Sequence, residues 1–299
     1  MLLPNTLIVG APRCGTTFLY NYLRRHPQVF MSDQKEPWHF ASEPQTVWMG
    51  PGDGQPVTSR RDYAGLFQGA DPSVHSIIGE ASTIYLSAAE APRRICTLLP
   101  EPKIICVLRD PVERAWSNYV QHVLLGREAL GFEDALAAER RRAELGWSPF
   151  WQYATVSKYR VQLERWRSFV PAGNLMVLLF DDLVRCPEQV YSRVASFLDI
   201  SPSDGVQLVP DRSERNESSV FVHPSLDRIL LNMHSPIRRM AKTVVPPSVR
   251  QSMLSWIRST GGRKASLPLA VKQRLLADFE EDVAYVEQLL HVDLSSWRR

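Results

Sequence analysis

The junction near the N-terminus restricts this chain more than any other feature. There the apolar run Thr6–Gly10 (TLIVG) passes into Ala11-Pro12-Arg13-Cys14-Gly15-Thr16-Thr17 and then into a helical pattern. A short apolar run ending in glycine reads as a strand buried on both faces. Over residues 16–25 the periodicity turns helical, with Phe18, Leu19, Tyr22 and Leu23 on one face and Pro27 as the stop. A strand, a glycine-bracketed loop and a helix in that order expose consecutive backbone N–H groups at a helix N-terminus, where the dipole favours an anion.

The rest of the chain repeats the alternation. Apolar runs at 77–79, 103–108 (KIICVL) and 175–180 (LMVLLF) read as strands. Helical patterns occupy 88–99, 111–125, 132–145, 156–169, 187–198 and 267–290, and Pro111 sits at the favoured first-turn position. Residues 42–60, rich in Pro, Gly and Asp, and the polar stretch 201–223 read as loops. Strands separated by helices predict an α/β chain: a P-loop-like three-layer fold with a central parallel sheet flanked by helices. Ligands are then expected at the carboxyl ends of the strands. No low-complexity linker divides the chain, so residues 1–299 are expected to form one domain.

Composition narrows the function. The net charge of +3 is too small for a nucleic-acid binder but leaves room for a local positive pocket. Cys14, Cys96, Cys106 and Cys186 are scattered without zinc spacing, as expected for reduced thiols in the cytosol. No stretch approaches the roughly 18 apolar residues of a membrane span, so a cytoplasmic location without an integral membrane segment is expected. The sequence leaves the oligomeric state open.

In the first loop, Thr16 and Thr17 add hydroxyl donors and Arg13 adds a permanent, forked cation. The spacing approaches a Walker A loop, in which a lysine follows the second glycine. Here Thr16 fills that slot and the cation has moved to Arg13. Such a loop suits one terminal 5′-phosphate better than a triphosphate.

The strand and its G-A-P-R-C-G-T-T loop resemble the 5′-phosphosulfate loop of PAPS-dependent sulfotransferases, especially the glycan-type and bacterial branch that includes heparan sulfate sulfotransferases. The family's usual lysine is replaced by Arg13. A second element is similar too: Val107-Leu108-Arg109-Asp110-Pro111 leads to Ser117, a strand-end arginine with a serine eight residues on. The resemblance implies that Arg13, Cys14, Gly15, Thr16 and Thr17 hold the 5′-phosphosulfate and that Arg109 and Ser117 hold the 3′-phosphate. It implies PAPS as donor, PAP as product and no metal. Smaller similarities run from Lys158-Tyr159-Arg160 to Phe180-Asp181-Asp182-Leu183, and Arg215-Asn216-Glu217-Ser218 with His223-Pro224 resembles the region that closes over the nucleotide.

The acceptor is expected to be a hydroxyl on a carbohydrate, glycolipid or natural product. Lys35-Glu36-Pro37-Trp38-His39-Phe40 resembles the segment whose glutamate is the catalytic base, which makes Glu36 the leading candidate, with His39 and His122 as others. Gly79-Glu80-Ala81-Ser82-Thr83-Ile84-Tyr85 resembles a segment lining the acceptor cleft, so Ser82, Thr83 and Tyr85 join Glu36 and His39 as substrate-binding candidates. Ala81 stands where several glycan enzymes carry lysine. Arg13 is the candidate for stabilising charge at the leaving oxygen. Arg140-Arg141-Arg142 reads as a solvated face or an acceptor-docking patch, and Trp147, Phe150, Trp151 and Tyr153 as core or a stacking surface. Two rival readings are a P-loop kinase or NTPase-like phosphotransferase, with 175–182 as its Walker B element, and a non-catalytic nucleotide-binding module.

Overall fold

The computed structural model describes residues 2–41, 46–201 and 267–299, together with the short antiparallel strand pair Phe221–Val222 and Arg263–Lys264. The sequence motifs at 215–218 and 223–224 lie outside the described residues. A five-stranded sheet runs β1 (Thr6–Gly10), β2 (Val29–Met31), β3 (Ile77–Ala81), β4 (Lys103–Leu108) and β5 (Leu175–Leu179). Its spatial order is β2-β3-β1-β4-β5 and every pairing is parallel. Every residue of β1 and β3 is buried, which is why β1 reads as an apolar run instead of an alternating one, while β3 carries Glu80 into the interior.

The order of the strands places the ligand site. From β1 the chain travels by α1 (Thr16–Arg24) to the β2 edge and back to β3. It then crosses to β4 and β5 on the other side of β1 through α3 (Ala91–Leu98), after the short α2 (Arg60–Gly65) on the way to β3. Connections diverge around the carboxyl end of β1, the position where open α/β sheets form a crevice. Three segments emerge there: the 11–15 loop after β1, the 82–86 segment after β3, and Arg109 after β4.

The helix starts follow their capping chemistry. In α4 (Pro111–Leu124), Pro111 fixes the first turn, and Asp110 accepts from the N–H groups of Val112 and Glu113 at 2.8 and 3.1 Å. The pattern at 132–145 forms two helices, α5 (Phe132–Ala137) and α6 (Glu139–Glu144). Glu139, at the start of α6, turns its carboxylate onto the N–H groups of Ala154 and Thr155. α7 (Tyr159–Phe169) begins after a 3₁₀ turn at Thr155–Ser157, and α8 (Phe180–Arg185) and α9 (Pro187–Phe197) follow β5. The pattern at 267–290 divides at Phe279 into α10 (Leu269–Asp278) and α11 (Glu280–Leu290), because the Phe279 ring turns into a second core beside α4. Glu280, Glu281 and Asp282 open α11, where negative charge complements the dipole.

The segment expected as a long loop after residue 41 is pinned. Asp53 accepts from Ser148 N–H, Ser148 Oγ and Trp151 Nε1 at 2.9, 2.7 and 3.0 Å, tying it to the turn before α7. The aromatic segment divides similarly: Trp151 and Tyr153 are core, while Phe150 packs edge-on against Trp38. Arg140 and Arg141 are exposed and pair with Glu144, whereas Arg142 is buried in a bidentate pair with Glu128.

Trp166 links α7 to the active-site side of the sheet. It is fully buried and its indole N–H donates to the Leu86 carbonyl at 3.2 Å. Trp166→Ala is expected to cost about 3–5 kcal/mol, through the cavity and the orphaned carbonyl, read as a lowered urea midpoint at unchanged m.

Candidate active site

The first loop is built for close approach. Gly15 caps α1 in the left-handed conformation (φ 80°), and no side chain caps that helix, so its first N–H groups face the crevice uncompeted. A Cβ at Gly15 would lie 3.0 Å from both Leu183 and Phe180, so glycine is required for space as well as for φ. The Ala11 N–H donates to the Val107 carbonyl at 2.8 Å and anchors the loop on β4. Cys14 is fully buried and burial pushes its thiol up to about 11; only its backbone can face a ligand.

The two phosphate motifs converge. Arg13 Nε donates to Ser117 Oγ at 3.2 Å across 104 residues of sequence. Arg109 leaves the end of β4, lies over the Phe180 ring at 5.0 Å and reaches Glu113 at 3.3 Å. Burial lowers the pKa of Arg13 to about 10, and the positive field of Arg109 acts in the same direction. Two guanidinium groups thus crowd one partly buried crevice beside the N-terminus of α1. A nucleotide with phosphates at both ends fits that donor set.

Glu36 stands at the other wall. Its Oε2 accepts from Trp38 Nε1 at 2.7 Å and from the Thr83 N–H at 2.9 Å, and its Oε1 accepts from Thr83 Oγ1 at 2.8 Å. Burial raises its pKa above the ordinary carboxylate range, against the opposing pull of Lys35 and these hydrogen bonds. Arg13, Glu36 and Trp38 all have left-handed backbones, with φ of 72°, 59° and 54°. Such conformations are held at a cost in non-glycine residues and concentrate at working sites.

Residues 3–220 match the sulfotransferase domain family. The chain belongs to the sulfotransferase family. A crystal structure of a sulfotransferase from Alicyclobacillus acidocaldarius is 30% identical with a TM-score of 0.73, the likeness covering 100% of both chains. The membrane-associated sulfotransferase kil1 of Dictyostelium discoideum is 34% identical over 40% of this chain and 23% of its own length. The mouse heparan sulfate glucosamine 3-O-sulfotransferase 3B1 is 28% identical over 66% of this chain and 46% of its own. The chain thus spans between about a quarter and a half of the length of these two curated relatives.

Within this sulfotransferase fold the other candidate residues take distinct places. Ser82, Thr83 and Tyr85 are buried, and their polar groups are spent on the Glu36 wall. Ser82 Oγ accepts from the Trp38 N–H at 3.1 Å, Thr83 holds Glu36, and the Tyr85 hydroxyl accepts from the Phe40 N–H at 3.3 Å. They shape the cleft from behind. His39 is stacked flat on Tyr63 at 4.2 Å, with Nδ1 bound to the Val57 carbonyl at 2.6 Å. Burial lowers its pKa, and the charges of Arg94 and Arg60 act the same way. His122 is buried against Trp151, with Nδ1 3.1 Å from the Tyr153 hydroxyl, which donates to Glu128. Burial, reinforced by Arg127, Arg142 and Arg13, pushes His122 down to about 3. His122 is therefore a neutral imidazole at working pH. Both histidines belong to networks other than that of Glu36.

Two residues that motif reading passed over prove central. Lys35 Nζ donates to Thr17 Oγ1 at 2.7 Å and lies 3.9 Å from Glu36 Oε1, joining the loop after β1 to the Glu36 wall. By this route a second cation reaches the loop after β1 from the segment that follows β2. The only sequence signal was its place beside Glu36. Glu80, at the end of β3, is fully buried; the Tyr63 hydroxyl donates to its Oε1 at 3.2 Å and the Ser82 and Tyr85 hydroxyls lie beside the carboxyl. Burial raises its pKa to about 8, and the negative charge of Glu36 acts in the same direction.

Glu80 therefore couples folding to pH. The native state keeps a proton that the unfolded chain releases near the reference value of about 4.3. Its contribution is fully present below that value and is lost as pH rises towards about 8. Glu80→Gln is expected to flatten this part of the profile and to be more stable than the wild type at pH 8, measured as urea midpoints between pH 5 and 8.

Proposed function

We propose that this chain transfers the sulfuryl group of PAPS to an acceptor hydroxyl on a carbohydrate, glycolipid or natural product, releasing PAP. The observation that carries the reading is the contact of the two phosphate motifs, Arg13 to Ser117, opposite a carboxylate held by Thr83 and Trp38. The glycan acceptor named for the mouse relative supports the carbohydrate choice. Among the described residues no helix is long and apolar enough to cross a membrane, and a cytoplasmic location is part of the proposal.

In this reading Arg109 and Ser117 hold the 3′-phosphate, and the 15–17 backbone with Thr16 and Thr17 holds the 5′-phosphate. When bound, PAPS supplies an activated sulfuryl group whose bond to the 5′-phosphate oxygen breaks as the acceptor oxygen attacks in line. Arg13 and Lys35 place positive charge where the leaving oxygen becomes negative. Glu36 takes the acceptor proton. Oε2 already accepts two hydrogen bonds, so the free lone pair on Oε1 is the one that meets the hydroxyl. Its raised pKa strengthens it as a base relative to an exposed carboxylate. His122, neutral and bound to Tyr153, acts on the wall behind Ser117 in this reading, and Ser82 and Tyr85 keep Trp38 and Phe40 in place.

The phosphotransferase reading loses its support at β5. The first of the two acidic residues there, Asp181, accepts from Trp297 Nε1 at 3.2 Å.

Glu36→Gln is expected to lower turnover of labelled PAPS by about 10²–10⁴-fold while calorimetric affinity for PAP stays within about twofold. The wild-type rate is expected to rise with pH through a pKa above the usual carboxylate range, and that limb to vanish in Glu36→Gln. Unchanged turnover would remove Glu36 from the chemistry. Lys35→Met is expected to reduce kcat by at least about tenfold and to weaken PAP less than Arg109→Met does. Equal losses in both measures would make Lys35 a simple binding residue.

A further inference from the structure

The turn between β4 and α4 leaves one carbonyl without a backbone partner. The Asp110 carboxylate takes the N–H groups of Val112 and Glu113, and Pro111 has none to offer. The first helical bond runs one residue later, from the Arg114 N–H to the Asp110 carbonyl at 2.8 Å. Among the described residues no backbone N–H reaches the carbonyl of Arg109. A side chain supplies the donor instead: the hydroxyl of Tyr159, the first residue of α7, donates to it at 2.9 Å. Tyr159 is fully buried, so water does not compete for that hydrogen bond.

The same hydroxyl reaches the other phosphate segment. It lies against the Cys14 thiol, within hydrogen-bond reach. Cys14 is fully buried in the 11–15 loop, and its Sγ is also 3.7 Å from the Pro12 carbonyl. Arg114, equally buried, sets its charge beside both groups. Its Nε donates to Ser157 Oγ at 2.6 Å, and Ser157 Oγ donates to the Pro111 carbonyl at 2.8 Å. Ser157 and Tyr159 thus grip the β4–α4 turn at two carbonyls, and the grip at Tyr159 also touches the loop after β1. On the crevice side the two phosphate segments meet through Arg13 and Ser117; behind it they meet through Tyr159.

We propose that Tyr159 is a positioning residue for the donor nucleotide. Its hydroxyl fixes Arg109 and the 11–15 loop at one separation, so that a nucleotide carrying both phosphates is selected over one carrying either. This rests on the donor reading given above. Tyr159 acts from behind, through the Arg109 carbonyl and the Cys14 thiol. Either segment can shift to meet a single phosphate, whereas a ligand that bridges both needs the two held in place together. Loss of the hydroxyl therefore falls on the bridging ligand.

The test is calorimetry on the whole chain with three probes: PAP, adenosine 5′-monophosphate and adenosine 3′-monophosphate. Tyr159→Phe keeps the ring and removes the hydroxyl. It is expected to weaken PAP at least about tenfold while each monophosphate changes by less than about threefold. Ser157→Ala removes the other gripping hydroxyl, which acts on the Pro111 carbonyl. It is expected to lower the thermal midpoint and to keep the ratio of PAP to monophosphate affinities within about twofold of the wild type. Cys14→Ala is expected to reproduce the loss specific to PAP. Because the two groups share one contact, the double variant Tyr159→Phe/Cys14→Ala is expected to bind PAP within about twofold of Tyr159→Phe. An equal loss for all three probes in Tyr159→Phe makes the hydroxyl a support of the fold only. A loss shared by PAP and the 3′-monophosphate makes it a support of Arg109 alone. Either pattern, or an unchanged PAP affinity, overturns the link while leaving the donor reading intact. Absent PAP binding by the wild type overturns the donor reading and the link together.

Discussion

Arg13 and Arg109 set the terms for the rest of the molecule. Bringing two guanidinium groups into one partly buried crevice is unfavourable: burial lowers the pKa of Arg13, and the charge of Arg109 acts in the same direction. The Arg13–Ser117 hydrogen bond holds the arrangement across the β1–β4 pairing, in a sheet whose inner strands are buried on both faces. A polyanion placed between them would relieve the repulsion. The same logic explains why the loop tolerates Arg13 at φ 72° and why Gly15 must remain glycine.

The opposite wall answers a different electrostatic demand. Burial raises both Glu36 and Glu80, and the charge of Glu36 adds to the rise at Glu80. They divide the consequences. Glu36 collects three hydrogen bonds and the nearby Lys35, which favour its charged form; Glu80 sits deeper, beside the hydroxyls of Tyr63, Ser82 and Tyr85, and holds its proton to about 8. Glu80 thereby stays neutral at neutral pH and adds no further negative charge beside Glu36. Pairs of carboxyl groups separated in this way by their surroundings are how a fold assigns acid and base roles.

The sheet was legible because a buried parallel strand cannot hide its composition: the runs at 6–10, 103–108 and 175–180 became β1, β4 and β5 within a residue. Helix breaks were not legible. Ala138 and Phe279 carry no breaking residue, and what divides their helices is tertiary: the reach of Glu139 to Thr155 and the burial of the Phe279 ring. In the site, motif spacing singled out Arg13, Gly15, Arg109 and Ser117, which lie on the segments that follow β1 and β4. Spacing could not locate Lys35 as a partner of Thr17 or Glu80 as a buried acid, because both depend on the pairing of β3 with β1 and β2. The surroundings of the two histidines were not legible either, because their partners come from distant segments: His39 is stacked on Tyr63 and bound to the Val57 carbonyl, and His122 lies against Tyr153.

The strain is distributed as a transfer site requires. Arg13, Glu36 and Trp38 each hold a left-handed backbone costing on the order of 1–3 kcal/mol. None lies within a strand or helix; Arg13 is fastened to Ser117 on α4 and Glu36 by its own N–H to the Ala81 carbonyl of β3 at 2.8 Å, while Trp38 is held by its N–H to Ser82, the first residue after β3. Rigid elements therefore bear the cost while the loops keep the geometry. Relaxing any of the three would move a charged or hydrogen-bonding group away from the crevice, and catalysis falls steeply with such small displacements. The buried sheet, which binds nothing itself, is what allows the loops at its carboxyl edge to stay in conformations they would not adopt alone.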